Sequence, residues 1–180
     1  MPLYELDKIR PVIGEGTWIA QSAEIIGNVI IGKNCYIGFG AVIRGDFGKI
    51  SIGDAVVVED NVVIHAASKV EIGNRVIIGH LSMIHNATIH DDVLIGMQAM
   101  ICDDVTIGKS TIIAEKAMVK KGQVLLSGKI YAGSPAQIKG KIKEKHIQLL
   151  ITGQQLYLDL TKQYIRSLVT LDDKSKSPKL

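Results

Sequence analysis

The chain has 180 residues, a formal net charge of +3 and 22% charged residues, a balance too even to mark a nucleic-acid binder. No signal peptide is read in MPLYELDKIR, and no apolar run approaches a membrane span. Hydrophobic content of 47% with only 4% aromatic residues suits narrow coils filled by Ile, Val and Ala.

Those coils are announced by a six-residue repeat, [Ile/Val]-Gly-x-x-small-x. It appears as IGKNCY (31–36), IGFGAV (37–42), IGDAVV (52–57) and IGNRVI (72–77), then as IGMQAM (95–100), IGKSTI (107–112) and IAEKAM (113–118). Such hexapeptides predict a parallel β-helix, a solenoid whose coils each bury their neighbour's apolar face. A coil is three short strands, and successive rungs lie about 4.8 Å apart. Anchors run from Ile13 to Ile43, resume three residues late at Ile52, slip by two after Val70, lose one residue after Ile84, and continue from Ile89 to Val119. With each irregularity placed at a corner, Ile25, Ile43, Ile64 and Ile84 stack. Arg44, His65 and His85, which follow three of them, form one outward column. Two imidazoles on adjacent rungs can share an ion through metal–nitrogen bonds of about 2.0–2.1 Å.

His80 follows Ile78 by two residues, on the preceding face, and stacks nearer Asp60. A single solenoid does not bring it round to the other two. A neighbouring subunit in a cyclic assembly does, because a heterologous contact presents different faces of two chains to each other. The expectation is a three-histidine metal centre at a subunit interface, with a fourth position open to water as in catalytic zinc sites. His90, in a polar HDD turn, and His146 have no such partners.

The remaining chain is a different element. From Ala136 to about Val169 the repeat ends. Ile138, Ile142, His146, Leu149, Leu150, Leu156, Leu160, Tyr164 and Leu168 recur at helical spacing, with Gly153 as a candidate break. KGKIKEK (139–145) reads as a solvated face. The division expected is a β-helix domain over 1–135, a helical segment over 136–170 and a polar, mobile tail over 171–180. Cys35 and Cys102 lie several coils apart, too far for a disulfide, so a reducing cytoplasm is the expected compartment.

The stretch IRGDFGKISIGDAVVVEDNVVIH (43–65), with GH (79–80) and IH (84–85), closely resembles the γ-class carbonic anhydrase family, in the subgroup of the PaaY and CaiE proteins. The resemblance implies a left-handed β-helix, a homotrimer, and zinc or a related divalent metal (Fe2+, Co2+ or Ni2+) held by His65 and His85 of one subunit and His80 of the next. It implies that Arg44 and Asp46 form an ion pair organising the interface. Glu59 stands where the family usually has a glutamine that holds the metal-bound water, so its carboxylate either orients or deprotonates that water or binds the metal. Phe47 replaces a glutamate of the most active enzymes, and AASK (66–69) replaces their acidic proton-transfer loop. Asp60 and Asn61 are turn residues or supports of the centre. Tyr157 matches in position a tyrosine that some members place near the metal, and YAGSPA (131–136) serves as the turn that closes the solenoid. The activity implied is metal-bound hydroxide attacking carbon dioxide or an acyl-thioester carbonyl. A coenzyme-A-dependent acyltransferase and a catalytically idle metal-binding trimer are the alternatives on the same scaffold.

Overall fold

The computed structural model describes residues 3–171; the sequence-assigned polar tail, apart from Leu171, lies outside them. The fold is the parallel β-helix that the repeat predicts, a solenoid of about seven turns with one C-terminal helix. Each turn runs through three flat faces. One face stacks Glu24–Ile31, Val42–Ile52, Val63–His65, Met83–His85, Met100–Ile101 and Met118–Val119 in parallel. We call this the histidine face. The long strands Glu24–Ile31 and Val42–Ile52 bend round its far corner into the second face, where Lys69–Ile72, Thr88–Ile89, Thr106–Ile107 and Val124–Leu125 continue the stack. The third face runs from Trp18–Ile19 through Tyr36–Ile37, Val57–Val58, Ile77–Ile78, Leu94–Ile95 and Ile112–Ile113 to Lys129–Ala132.

Inside, the anchor column is as read from the repeat: Ile25 pairs with Ile43, Ile43 with Ile64, Ile64 with Ile84, and Ile84 with Ile101. All five are fully buried. Burying an aliphatic side chain of this size is worth about 1.5–3 kcal/mol, and stacking like on like leaves few voids, so the register is strongly specified. The irregularities collect at the corner between the histidine face and the second face. The two-residue slip falls at 66–68, not after Val70, because Val70 is itself buried and pairs with Ile50.

The C-terminal part departs from a purely helical reading. Gln137–Lys141 is a strand that turns back antiparallel on Lys129–Ala132, with Tyr131 opposite Ile138 and Ala132 opposite Gln137. The last coil would otherwise end in an unpaired edge, and the returning strand supplies its hydrogen bonds. YAGSPA makes that hairpin turn rather than a direct passage to the helix. The helix is Glu144–Ser167, unbroken at Gly153. Glycine costs a helix about 1 kcal/mol. Packing offsets this: Leu150, Tyr157, Leu160 and Tyr164 lie on Tyr36 and Ile77 of the third face. His146 helps start the helix, its Nδ1 accepting the Lys143 backbone N–H at 2.9 Å. No described helix is long and apolar enough to cross a membrane. Cys35 and Cys102 are free.

Candidate metal centre

The candidate residues fall into two clusters at opposite edges of the histidine face. At the far corner, Arg44, His65 and His85 are register partners on three successive rungs. The corner is widened there by Gly45 and Gly48. A side chain at Gly48 would meet the Ser68 carbonyl oxygen at 2.1 Å, so the chain can take this path only with glycine. The widened loop folds Asp46 back onto the column. Asp46 Oδ2 accepts from Arg44 Nη1, and Oδ1 lies 2.9 Å from His65 Nε2. Burial raises the Asp46 carboxyl, but hydrogen bonds from His65 and Arg44 outweigh it and hold the group below its ordinary range.

His85 has its own carboxylate, which the sequence reading missed. Asp103 Oδ1 lies 2.5 Å from His85 Nδ1, and hydrogen bonds from His85 and then Asn86 hold this carboxyl below the usual range. The inner nitrogens, His65 Nδ1 and His85 Nε2, face each other at 3.2 Å. An ionised carboxylate only accepts, so each histidine directs its proton outward, to Asp46 or to Asp103. Two bare lone pairs then confront each other, and a cation between them relieves the repulsion. Two ligands on one tetrahedral metal at 2.0–2.1 Å stand about 3.3 Å apart, so this pair has the bite of a metal site. Imidazoles backed by carboxylates are also the usual outer arrangement of metal-binding histidine. The donor set fits a divalent cation of the zinc type.

At the near corner, where the third face turns into the histidine face, His80 stands one rung above Asp60. The Asp60 backbone N–H donates to His80 Nδ1 at 3.1 Å, so the proton of a neutral ring sits on Nε2, 3.1 Å from Glu59 Oε2. The His80 backbone N–H donates to the same oxygen at 3.0 Å. Glu59 is nearly buried; its Oε2 takes both His80 contacts, and its carboxylate also faces the Tyr157 phenol. A neutral ring that ligates through Nε2 carries its proton on Nδ1, so His80 can do this only by giving up both the Glu59 contact and the Asp60 N–H. The Asp60 carboxylate, with Oδ2 3.6 Å from Nδ1, is then at hand to accept the moved proton. Tyr157 reaches this corner from the helix; its ring packs on Tyr36 with centroids 4.9 Å apart. Burial first, and the Glu59 carboxylate second, push its phenol up, so it is a donor and not a base at neutral pH. Asp60 Oδ1 accepts the Phe39 backbone N–H at 2.8 Å, and Asn61 turns the corner in the left-handed region at φ 57°. Asn61 is a turn residue; Asp60 is that and a support of His80. Phe47 is 77% exposed, its ring set edge-on to that of His65 with centroids 6.1 Å apart.

The two clusters do not meet within one chain: among the described residues no three His, Cys, Asp or Glu side chains are grouped to hold a metal ion. His90 is exposed and no hydrogen bond of its ring is recorded among the described residues.

The family described as "Bacterial transferase hexapeptide (six repeats)" matches residues 10–45 and 86–121. A probable carbonic anhydrase of Methanocaldococcus jannaschii is 43% identical over 153 residues, covering 84% of this chain and 96% of that protein. The chain belongs to the γ-class carbonic anhydrase-like hexapeptide-repeat family. Gamma carbonic anhydrase 2, mitochondrial, of Arabidopsis thaliana is 32% identical over 84% of this chain, which spans 58% of that longer protein. Among solved structures, a hexapeptide transferase family protein from Anaplasma phagocytophilum superposes with a TM-score of 0.88 at 31% identity, covering 91% of this chain and 98% of that one.

Proposed function

We propose that this γ-class carbonic anhydrase-like chain is the protomer of a homotrimeric metalloenzyme. Each of its three centres takes His65 and His85 from one subunit and His80 from the next. The observation that carries this reading is the separation of the two clusters to opposite edges of one flat face. A three-fold ring brings the near corner of one chain against the far corner of its neighbour. The ground between the clusters also suits contact, because Val63, Met83 and Met100 are register partners that form an outward, exposed apolar stripe. A monomer leaves such a stripe in water at a cost; a neighbour covers it.

A bound divalent cation, zinc or Fe2+, Co2+ or Ni2+, supplies Lewis acidity that brings the pKa of water down to about 7. The chain's own residues do the rest. Asp46 and Asp103 hold the outer nitrogens of His65 and His85, so that the inner ones stay free. Arg44 holds Asp46. Glu59, released from His80 Nε2 when that ring turns to its ligand position, retains the His80 backbone N–H and presents its other oxygen to orient a water or take its proton. Tyr157, kept protonated, donates to a substrate oxygen at the helix–solenoid seam. Phe47 and the apolar stripe keep bulk water from the corner. The substrate class is a small electrophilic carbonyl, either carbon dioxide or an acyl thioester. The free cysteines are in keeping with a reducing cytoplasm.

Metal analysis of the purified protein, joined to assays of carbon dioxide hydration and acyl-CoA hydrolysis, tests this reading. About one metal per chain is expected, with one of the two activities lost on chelation. Acyl transfer from coenzyme A to an acceptor by metal-free protein would assign the chain to the acyltransferases of this scaffold instead. Glu59→Gln separates the two roles open to that residue. The carboxamide oxygen still accepts the His80 N–H, so metal content is expected to stay intact while turnover changes. Loss of most metal from a folded, trimeric Glu59→Gln protein would make Glu59 a ligand.

A further inference from the structure

Asp103 stands two residues past the anchor Ile101, at the corner one rung above His85, and it is not an isolated surface carboxylate. Its Oδ1 accepts from His85 Nδ1 at 2.5 Å and from Asn86 Nδ2 at 2.7 Å. Asn86 is itself fixed: its Oδ1 accepts the Ser68 backbone N–H at 2.9 Å, and its carbonyl accepts the Asp104 N–H at 2.8 Å. Asn86 sits at φ 44°, in the left-handed region that asparagine tolerates better than most residues. The hydrogen bonds thus run from Ser68 through Asn86 to Asp103 and His85, crossing three rungs beside the histidine column. Asp46 is held in the same way on the rung below, accepting from Arg44 and the Phe47 backbone N–H beside its contact with His65.

We propose that Asp103 is a positioning residue of the centre, holding His85 as its Nδ1–H tautomer so that Nε2 is the nitrogen offered to the cation. The claim rests on the metal-dependent reading above. Its logic is that of any metal-bound histidine: the hydrogen bond at one ring nitrogen decides which nitrogen ligates and how the ring is aimed. A free neutral imidazole side chain favours the proton on Nε2, the wrong form for a ligand that binds through Nε2. Asp103 reverses that preference before the metal arrives. Asn86 keeps the carboxylate from swinging out into solvent, where a corner side chain would otherwise go.

Two measurements test this. The first needs no metal: long-range nitrogen–proton correlation spectra of metal-free, histidine-labelled protein report the tautomer of each ring. His85 is expected as Nδ1–H in the native protein and as Nε2–H in Asp103→Ala. The second is metal affinity by chelator competition, with zinc as the probe. Asp103→Asn is expected to lower it about 10–100-fold. Asp103→Glu should recover part of the loss, because the half-exposed corner has room for one more methylene. Asn86→Ala should cost less than Asp103→Asn. An unchanged assembly state for each variant, read by light scattering, separates positioning from misfolding. His85 found as Nε2–H in the native protein, or Asp103→Asn binding zinc as tightly as the native chain, would overturn the inference and leave the shared-centre reading standing. A native, folded trimer that binds no zinc would overturn the shared-centre reading, while the tautomer spectra would still decide the positioning claim.

Discussion

Mixing His65→Ala chains with His80→Ala chains in equal amounts is expected to restore about a quarter of the metal sites, although neither variant holds metal tightly alone. Each centre needs His65 and His85 from one chain and His80 from its neighbour. In a randomly assembled hybrid, an interface is intact when the His80→Ala chain supplies its far corner and the His65→Ala chain its near corner. The other pairings lack at least one imidazole, and loss of one of three protein ligands removes tight binding. Chains unfolded and refolded together, then dialysed against zinc, give the readout by metal content per trimer. Mixing His65→Ala with His85→Ala is the control. Both mutations lie on the same corner, so no interface in that mixture is whole and no recovery is expected. Equal recovery in both mixtures, or none in either when hybrids are verified by mass, would contradict a centre divided between chains.

Met83→Glu is expected to break the trimer into monomers and to remove metal with it. Met83 lies between Val63 and Met100 in the outward stripe, midway between the two half-sites. A carboxylate in the middle of a desolvated contact, repeated at each interface, leaves charges buried without partners, at a cost of several kcal/mol each. The solenoid itself should tolerate the change within about 0.5 kcal/mol, since the side chain points away from the core. Sedimentation velocity should show a folded species of one chain's mass, with far-ultraviolet dichroism unchanged and zinc affinity down by more than about 100-fold, since a lone chain offers only two histidines at its far corner and one at its near corner. A Met83→Glu protein that stays trimeric and loaded would place the contact on another face.

The histidine column was legible because a solenoid converts sequence spacing into height. Once inward isoleucines are placed, the residue after each one must face out, and Arg44, His65 and His85 fall into line. His80 was legible as an outlier by the same count. The corners were less so. Val70 looked like the end of a regular hexapeptide, yet it is buried opposite Ile50, and the extra residues at 66–68 are taken up by the turn before it. Asp103 was missed because it stands one position past the outward column, where rung counting does not say which way a side chain turns. The spacing of Asn86 and Asp103, one coil apart in sequence at the same corner, was the signal available. In the C-terminal region, Ile138 and Ile142 fit helical spacing, but they follow a strand edge that needs covering, and that demand is tertiary. Gly153 misled in the other direction: its local cost to a helix is real and is outweighed by packing on the third face.

The shared centre is tested most directly by native mass spectrometry of the zinc-reconstituted protein. The expected species is three chains with three zinc ions, falling to three chains with none after chelation. A single chain retaining one zinc ion, or a trimer that takes up none from excess, would contradict it.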